Sequence, residues 1–231
     1  MKQLNEKVAI VTGAGQGIGK GIALCLAKRG VKVVCTGRRP EPIEETVAEI
    51  KAAGGEAFAM TCDSANRERV KEVVAKTVET YGTVDVVVNN AQAVAKSMPV
   101  EEVTYDLMYL AWSTGTIGSL NFMQECFPYM KEQGEGRVIN FASATGMFGY
   151  AGNCAYGSNK EAIRGLTKIA AKEWAKKFPE KYNAILMQQP MRRLGDAEND
   201  IAPVIAFLAG PDSCYYSGQC LLLDGAYSIA P

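Results

Sequence analysis

No histidine occurs among the 231 residues of this chain. That absence excludes Ser-His-Asp and Cys-His nucleophilic catalysis, histidine-ligated metal centres and histidine acid–base chemistry. Proton transfer therefore falls to Tyr, Lys, Cys or a carboxylate. Net charge is missing too: Lys+Arg and Asp+Glu number 25 each, so no global field points to nucleic acid or an anionic membrane. No apolar run approaches the roughly 20 residues that a membrane span needs. The opening residues Met1–Glu6 lack a signal-peptide core and lead directly into Val8-Ala9-Ile10-Val11. The seven cysteines are an odd number with no CxxC pair, and Cys25, Cys35 and Cys62 lie in apolar-patterned segments. Reduced thiols in a cytoplasmic protein fit this better than a disulfide framework, and no metal site is expected.

What is present is an ordinary globular composition, 48% apolar and 22% charged, on a length that suits one domain spanning residues 1–231. Short apolar, β-branched runs fall at Lys7–Thr12, Lys32–Thr36, Ala57–Cys62, Val84–Asn89, Val138–Ala142 and Cys220–Leu223. Helical patterns fall between them, at Ile18–Arg29, Pro42–Ala53, Arg67–Tyr81, Tyr105–Lys131 and Ala155–Lys176. The alternation predicts βα units around a parallel sheet, with strands apolar on both faces. Gly30, Gly54-Gly55 and Gly82 suit helix C-terminal caps.

Two clusters carry chemistry. Thr12-Gly13-Ala14-Gly15-Gln16-Gly17-Ile18-Gly19 follows the first strand and opens the first helix. Glycines there permit a tight turn and let backbone approach a pyrophosphate on the helix N-terminus. The second cluster is Tyr156-Gly-Ser-Asn-Lys160, with Ser143 thirteen residues upstream. A spacing of four puts Tyr156 and Lys160 on one helix face, and a nearby ammonium stabilises phenolate over phenol. By itself that pair reads far more readily as a solvated helix face; Ser143 and the glycine turn change the balance.

With these residues the chain resembles the short-chain dehydrogenase/reductase family along nearly its whole length. The resemblance includes Cys62-Asp63-Ser64 after the third strand, Asn89-Asn90-Ala91 after the fourth, Ser143, Tyr156 and Lys160. It continues through Pro190-Met191-Arg192-Arg193-Leu194-Gly195 to Ser217-Gly218-Gln219 and Asp224-Gly225. It implies a doubly wound, mostly parallel sheet in three α/β/α layers, the Rossmann fold, and a hydride transfer between a nicotinamide dinucleotide and an alcohol or ketone. Tyr156 is then the general acid–base, Lys160 its tuning cation and ribose ligand, and Ser143 a hydrogen-bond donor to the substrate oxygen. Gly13, Gln16, Gly17, Ile18 and Gly19 are implied at the pyrophosphate, and Asp63 and Ser64 at the adenine. Asn89, Asn90 and Ala91 lie under the adenosine ribose. From its residue type alone, Asp63 reads as easily as a helix cap or loop carboxylate.

Cofactor choice is read at the end of the second strand. An acid there suits the ribose hydroxyls of NAD; this chain has Thr36-Gly37-Arg38-Arg39. Guanidinium forks at Arg38 and Arg39 suit a 2′-phosphate, so NADP(H) is expected in preference to NAD(H).

Three departures from the family pattern stand out. Trp112 occupies the position of a helix Asn that helps hold a proton-relay water, leaving Ser113 or Thr114 as substitutes. Gln92 follows Asn89-Asn90-Ala91 where glycine is usual. Finally, Lys176-Lys177 runs straight into Phe178-Pro179, as though a strand and lid of roughly 20 to 30 residues were missing near 176–178. The expectation is an NADP-preferring oxidoreductase acting on a secondary alcohol or ketone; the alternative is a non-catalytic or regulatory nucleotide-binding relative. Ala144, Thr145, Met147, Phe148 and Tyr150 are expected to wall the substrate pocket, giving it a hydrophobic, ring-like occupant, although Met147 and Phe148 read equally as core. Apolar residues on more than one face of the two long helices (Met108, Leu110, Ile117, Leu120 and Met123, then Ile163, Leu166, Ile169 and Trp174), with the family's habit, imply a homotetramer.

Overall fold

Five of the apolar runs form strands of one parallel sheet, in the order β3-β2-β1-β4-β5. The computed structural model describes residues 3–93, 96–175, 191, 193, 196–209 and 214. The chain runs β1 (Val8–Thr12), α1 (Gly17–Lys28), β2 (Lys32–Gly37), α2 (Pro40–Ala52), β3 (Ala57–Thr61), α3 (Arg67–Tyr81) and β4 (Val86–Asn89). It continues through α4 (Tyr105–Trp112), α5 (Gly118–Glu132), β5 (Arg137–Asn140), α6 (Ala144–Phe148) and α7 (Cys154–Ala175). It divides into two compact units, residues 1–166 and 167–231.

In the first unit the period-two alternation of the strands splits the core across the sheet. Ala9, Val11, Val33 and Cys35 pack with Ala23, Ala27, Ile43, Val47 and Ile50 of α1 and α2. Ile10, Val34 and Val87 pack on the other face with Val70, Val73 and Val74 of α3 and Phe122, Cys126 and Met130 of α5. This is the expected three-layer α/β/α arrangement, and β1 is buried along its whole length. Strand β1 pairs with β2 on one side and β4 on the other, so the strand order reverses there. Parallel strands diverging from such a switch point open a crevice at their C-terminal ends, which is where the glycine turn lies.

Two expectations are corrected. Strand β5 is half exposed, not buried on both faces; it is the edge of the sheet among the described residues. The helix expected over Tyr105–Lys131 is interrupted by a π-turn at Ser113–Ile117. Side chains compete for the ladder there: Asn159 accepts the backbone N–H of Thr116, while the hydroxyls of Ser113 and Thr114 both donate to the Leu110 carbonyl. Diverting a ladder donor this way leaves room for one extra residue in the turn.

In the second unit a π-turn (Ala197–Ile201) leads into α8 (Ala202–Ala209). Arg193 pairs with Asp200 there, and Asp196 Oδ1 accepts from the amides of Glu198 and Asn199. The expected strand Cys220–Leu223, most of the Pro190–Gly195 stretch, Ser217–Gly225 and the junction at 176–178 lie outside the described residues. Among the described residues no helix is long and apolar enough to cross a membrane.

Candidate active site

A cleft of about 540 Å³ opens at the switch point. Its lining includes Gly13, Gly15, Gln16, Gly17 and Ile18 from the turn, Arg38 and Arg39 from the end of β2, and Asp63 and Ser64 from the end of β3. Asn90, Ala91 and Gln92 complete it from β4. The glycines are required by geometry. Gly13 has φ +66° and Gly17 φ +54°, and a Cβ on Gly19 would meet the Gly13 carbonyl oxygen at 2.2 Å. The turn can only close in this shape without side chains, leaving backbone amides at the α1 N-terminus facing the cleft. A dinucleotide pyrophosphate fits that cradle.

Of the remaining expected cofactor residues, Gly19 and Asn89 build the cleft from behind and do not line it. Asn89 Nδ2 donates to Asn140 Oδ1 at 2.8 Å and to the Ser119 carbonyl at 3.4 Å. Asn90 ties β4 to the turn through Nδ2 and the Thr12 carbonyl, at 3.0 Å. Asp63 Oδ1 accepts from the Ala65 amide, and Asn66, not Asp63, caps α3. Ser64 Oγ donates to the Thr114 carbonyl at 3.4 Å. At the rim, Arg39 donates to Gln16 Oε1 at 2.7 Å, while Arg38 is exposed and makes no ion pair among the described residues.

Ser143, Tyr156 and Lys160 come from a neighbouring part of the first unit and are not in the cleft lining. Two glycines bring them together. A Cβ on Gly146 would come 2.9 Å from the Glu161 amide and 3.0 Å from the Gly157 carbonyl, and one on Gly157 would come 3.2 Å from the Thr145 carbonyl. Backbone therefore lies directly on backbone where α6 crosses α7. Ser143 caps α6, its Oγ accepting from the Thr145 amide at 3.2 Å, which leaves its O–H free to donate. Lys160 is 5% exposed, and its Nζ donates to the Phe141 carbonyl at 2.6 Å. The same Nζ lies 5.7 Å from the Tyr156 ring centroid, within cation–π range. Burial pulls the Lys160 pKa down to about 8.

At the departure points, the indole N–H of Trp112 donates to Ser158 Oγ at 3.4 Å. Both proposed substitutes are committed, since Ser113 and Thr114 donate to Leu110, and Thr114 Oγ1 also accepts from the Ala93 amide. Sequence reading missed Asn159. It is fully buried between Lys160 and the π-turn, and its Oδ1 accepts from Thr116 N at 2.9 Å and Thr116 Oγ1 at 2.7 Å. The signal was Gly115: a Cβ there would lie 2.4 Å from Asn159 Nδ2, so the two positions are matched. Of the expected pocket-wall residues, Met147, Phe148 and Tyr150 are exposed, which excludes the core reading; Phe148 is 71% exposed.

A switch-point cradle for a dinucleotide beside a Ser-Tyr-Lys group defines a class of hydride-transfer proteins, and comparison with known proteins agrees. The short chain dehydrogenase family profile matches residues 7–178. A 12alpha-hydroxysteroid dehydrogenase from a Clostridium species is 38% identical, with 97% of this chain and 98% of that protein aligned over 254 positions. Among solved structures, a metagenomic short-chain oxidoreductase in complex with NADP has TM-score 0.72 and 30% identity, covering 75% of this chain and 79% of that one. An NAD+-bound xylitol dehydrogenase also has TM-score 0.72 and 30% identity, covering 94% and 97%. The chain belongs to the short-chain dehydrogenase/reductase family and is an oxidoreductase dependent on a nicotinamide dinucleotide.

Proposed function

We propose that this protein is an NADP(H)-preferring oxidoreductase that interconverts a secondary alcohol and a ketone on a hydrophobic, ring-bearing substrate. The observation that carries it is the approach of Lys160 to Tyr156 at the foot of the Ser143 cap. A bound nicotinamide supplies or accepts the hydride. Tyr156 then passes the proton to or from the substrate oxygen, Ser143 donates a hydrogen bond to that oxygen, and the buried Lys160 cation favours the phenolate. Exposed Met147, Phe148 and Tyr150 beside Ser143 offer an apolar wall, in keeping with the hydroxysteroid dehydrogenase relative. The non-catalytic alternative is less favoured, because Trp112 is accommodated by Ser158 without disturbing Lys160.

Exposed Arg38, with no ion pair among the described residues, supports the NADP preference, since it places a guanidinium where a 2′-phosphate would sit. Steady-state oxidation of NADPH and NADH over a panel of steroid, cyclic and aliphatic ketones tests both claims. Turnover with NADPH on a ring ketone is expected, and absence of turnover across the panel would overturn the reading. In the Arg38→Ala, Gly37→Asp double variant the preference should move toward NADH by about 10- to 100-fold. A Cβ at position 37 comes 3.0 Å from Ile43 Cγ2, which has only to yield slightly. An unchanged ratio would reduce Arg38 to a surface charge.

The aligned length of 254 positions exceeds the 231 residues of this chain, which supports an internal deletion, read near Lys176–Phe178. A gene encoding the extra strand and lid would remove that reading. Six described cysteines are free thiols, in keeping with a cytoplasmic setting that fractionation would test. Met123 and Ile163 prove to be core, but Leu110, Ile117 and Ile169 are exposed, joined by Tyr109 and by Tyr105 at 94%. This stripe supports a homotetramer. Light scattering should give about four times the 24.8 kDa chain mass, and a clean monomer would refute it.

A further inference from the structure

We propose that the side-chain amide of Gln92 is a ligand of the bound dinucleotide, paired with an uncharged group of it, a ribose hydroxyl or the carboxamide. The proposal rests on the cofactor reading above. Gln92 lines the cleft, yet both Oε1 and Nε2 are buried with no hydrogen-bond partner among the described residues. Its neighbours are satisfied. Asn90 donates to Thr12, Ser64 to Thr114, and the Ala93 amide to Thr114 Oγ1. Asn89 and Asn159 each leave one side-chain atom unpaired; Gln92 leaves both ends. Buried polar groups are paired as a rule, so a doubly unpaired amide on a residue that lines a ligand cleft marks a contact completed when the side chain turns to the ligand.

The chemistry of the amide narrows the partner. A phosphate offers acceptors only and would leave Oε1 unpaired, whereas a hydroxyl or carboxamide offers a donor and an acceptor together. The phosphate-directed features of the cleft are elsewhere, in the glycine turn and Arg38. Gln92 lies at the root of the β4 loop, where Ala91 packs against the turn: a Cβ on Gly13 would meet the Ala91 Cα at 3.1 Å. A substrate role is less fitting, because neither Tyr156 nor Ser143 shares this lining. The glycine usual here in the family is thus exchanged for a hydrogen-bonding arm.

The unliganded protein carries the desolvation penalty of this amide, and the dinucleotide relieves it. Affinity and stability must then move in opposite directions. Titration calorimetry with NADPH should show Gln92→Leu binding about 10-fold more weakly, while the unliganded variant melts about 2 to 4 °C higher. Gln92→Met gives the same comparison should the branched side chain not fit. Titration with 2′-phospho-ADP-ribose, which lacks the carboxamide, separates the two partners: a penalty that persists assigns a ribose hydroxyl, and one that vanishes assigns the carboxamide. Unchanged NADPH affinity, or a lower melting temperature in both variants, overturns the proposal while the cofactor reading stands. Failure of the wild-type protein to bind either NADPH or NADH overturns both.

Discussion

Tyr156→Phe lowers ketone reduction by about 100- to 10,000-fold and leaves NADPH affinity nearly unchanged. The phenolic hydroxyl makes no hydrogen bond among the described residues, so removing it breaks no structural contact. The ring remains, with its edge and face on Lys160 preserved, and the cleft lining is untouched. Only the proposed proton donor is lost. Turnover and binding therefore separate cleanly, and kinetics with parallel calorimetry reads both. Activity within tenfold of wild type would remove Tyr156 from the acid–base role and shift attention to Lys160.

Lys160→Met is expected to lower turnover and NADPH affinity together, because one cation serves both the tyrosine and the cofactor ribose in the proposed site. Its effect on the fold depends on pH in a way the Tyr156 variant cannot imitate. In the folded protein Lys160 loses its proton near pH 8, against 10.5 ordinarily, because desolvation disfavours the cation. Between these values the unfolded chain binds the proton that the folded chain has released, so wild-type stability rises with pH across that window. Below pH 8 the full cost of burying the charge is present. From pH 7 to 10 the unfolding free energy of wild type should therefore gain about 2 to 3 kcal/mol on that of Lys160→Met. Denaturant unfolding at a series of pH values measures it. A constant difference would mean that the lysine is solvated and not buried beneath Phe141.

Much of this was legible in the sequence, and the reasons are specific. β-branched runs such as Lys32–Thr36 have one comfortable environment, a strand buried on both faces, and the glycine turn has one comfortable geometry. The Tyr156–Lys160 spacing translates directly into a shared helix face. What escaped was set by contacts distant in the chain. Gly115 leaves space beside Thr116, but nothing nearby says that Asn159, 43 residues on, will fill it, accept the Thr116 N–H and interrupt the helix. Trp112 looked like damage to a relay because its sequence position carries no sign that Ser158 would receive the indole. Met123 and Ile163 read as interface candidates, since an apolar stripe does not say which of its residues is covered within the chain; both are buried. Gln92 reads in the sequence only as a departure from the usual glycine, and the burial of its amide without a partner among the described residues is what suggests a contact.

The π-turn at Ser113–Ile117 links two properties usually treated apart. A regular helix advances about 100° per residue, so one surplus residue fixes the azimuth of everything before it relative to everything after it. Before it stands the outward stripe of Tyr105, Tyr109 and Trp112; after it stand Phe122, Cys126 and Met130, anchored against the sheet. Losing a single codon here would keep the helix and its composition while swinging the stripe about a quarter-turn around the axis. Because Asn159 clamps that turn from the position next to Lys160, the orientation of the outer surface is geared to the helix that carries Tyr156 and Lys160. Mutational drift in one cannot proceed without registering in the other.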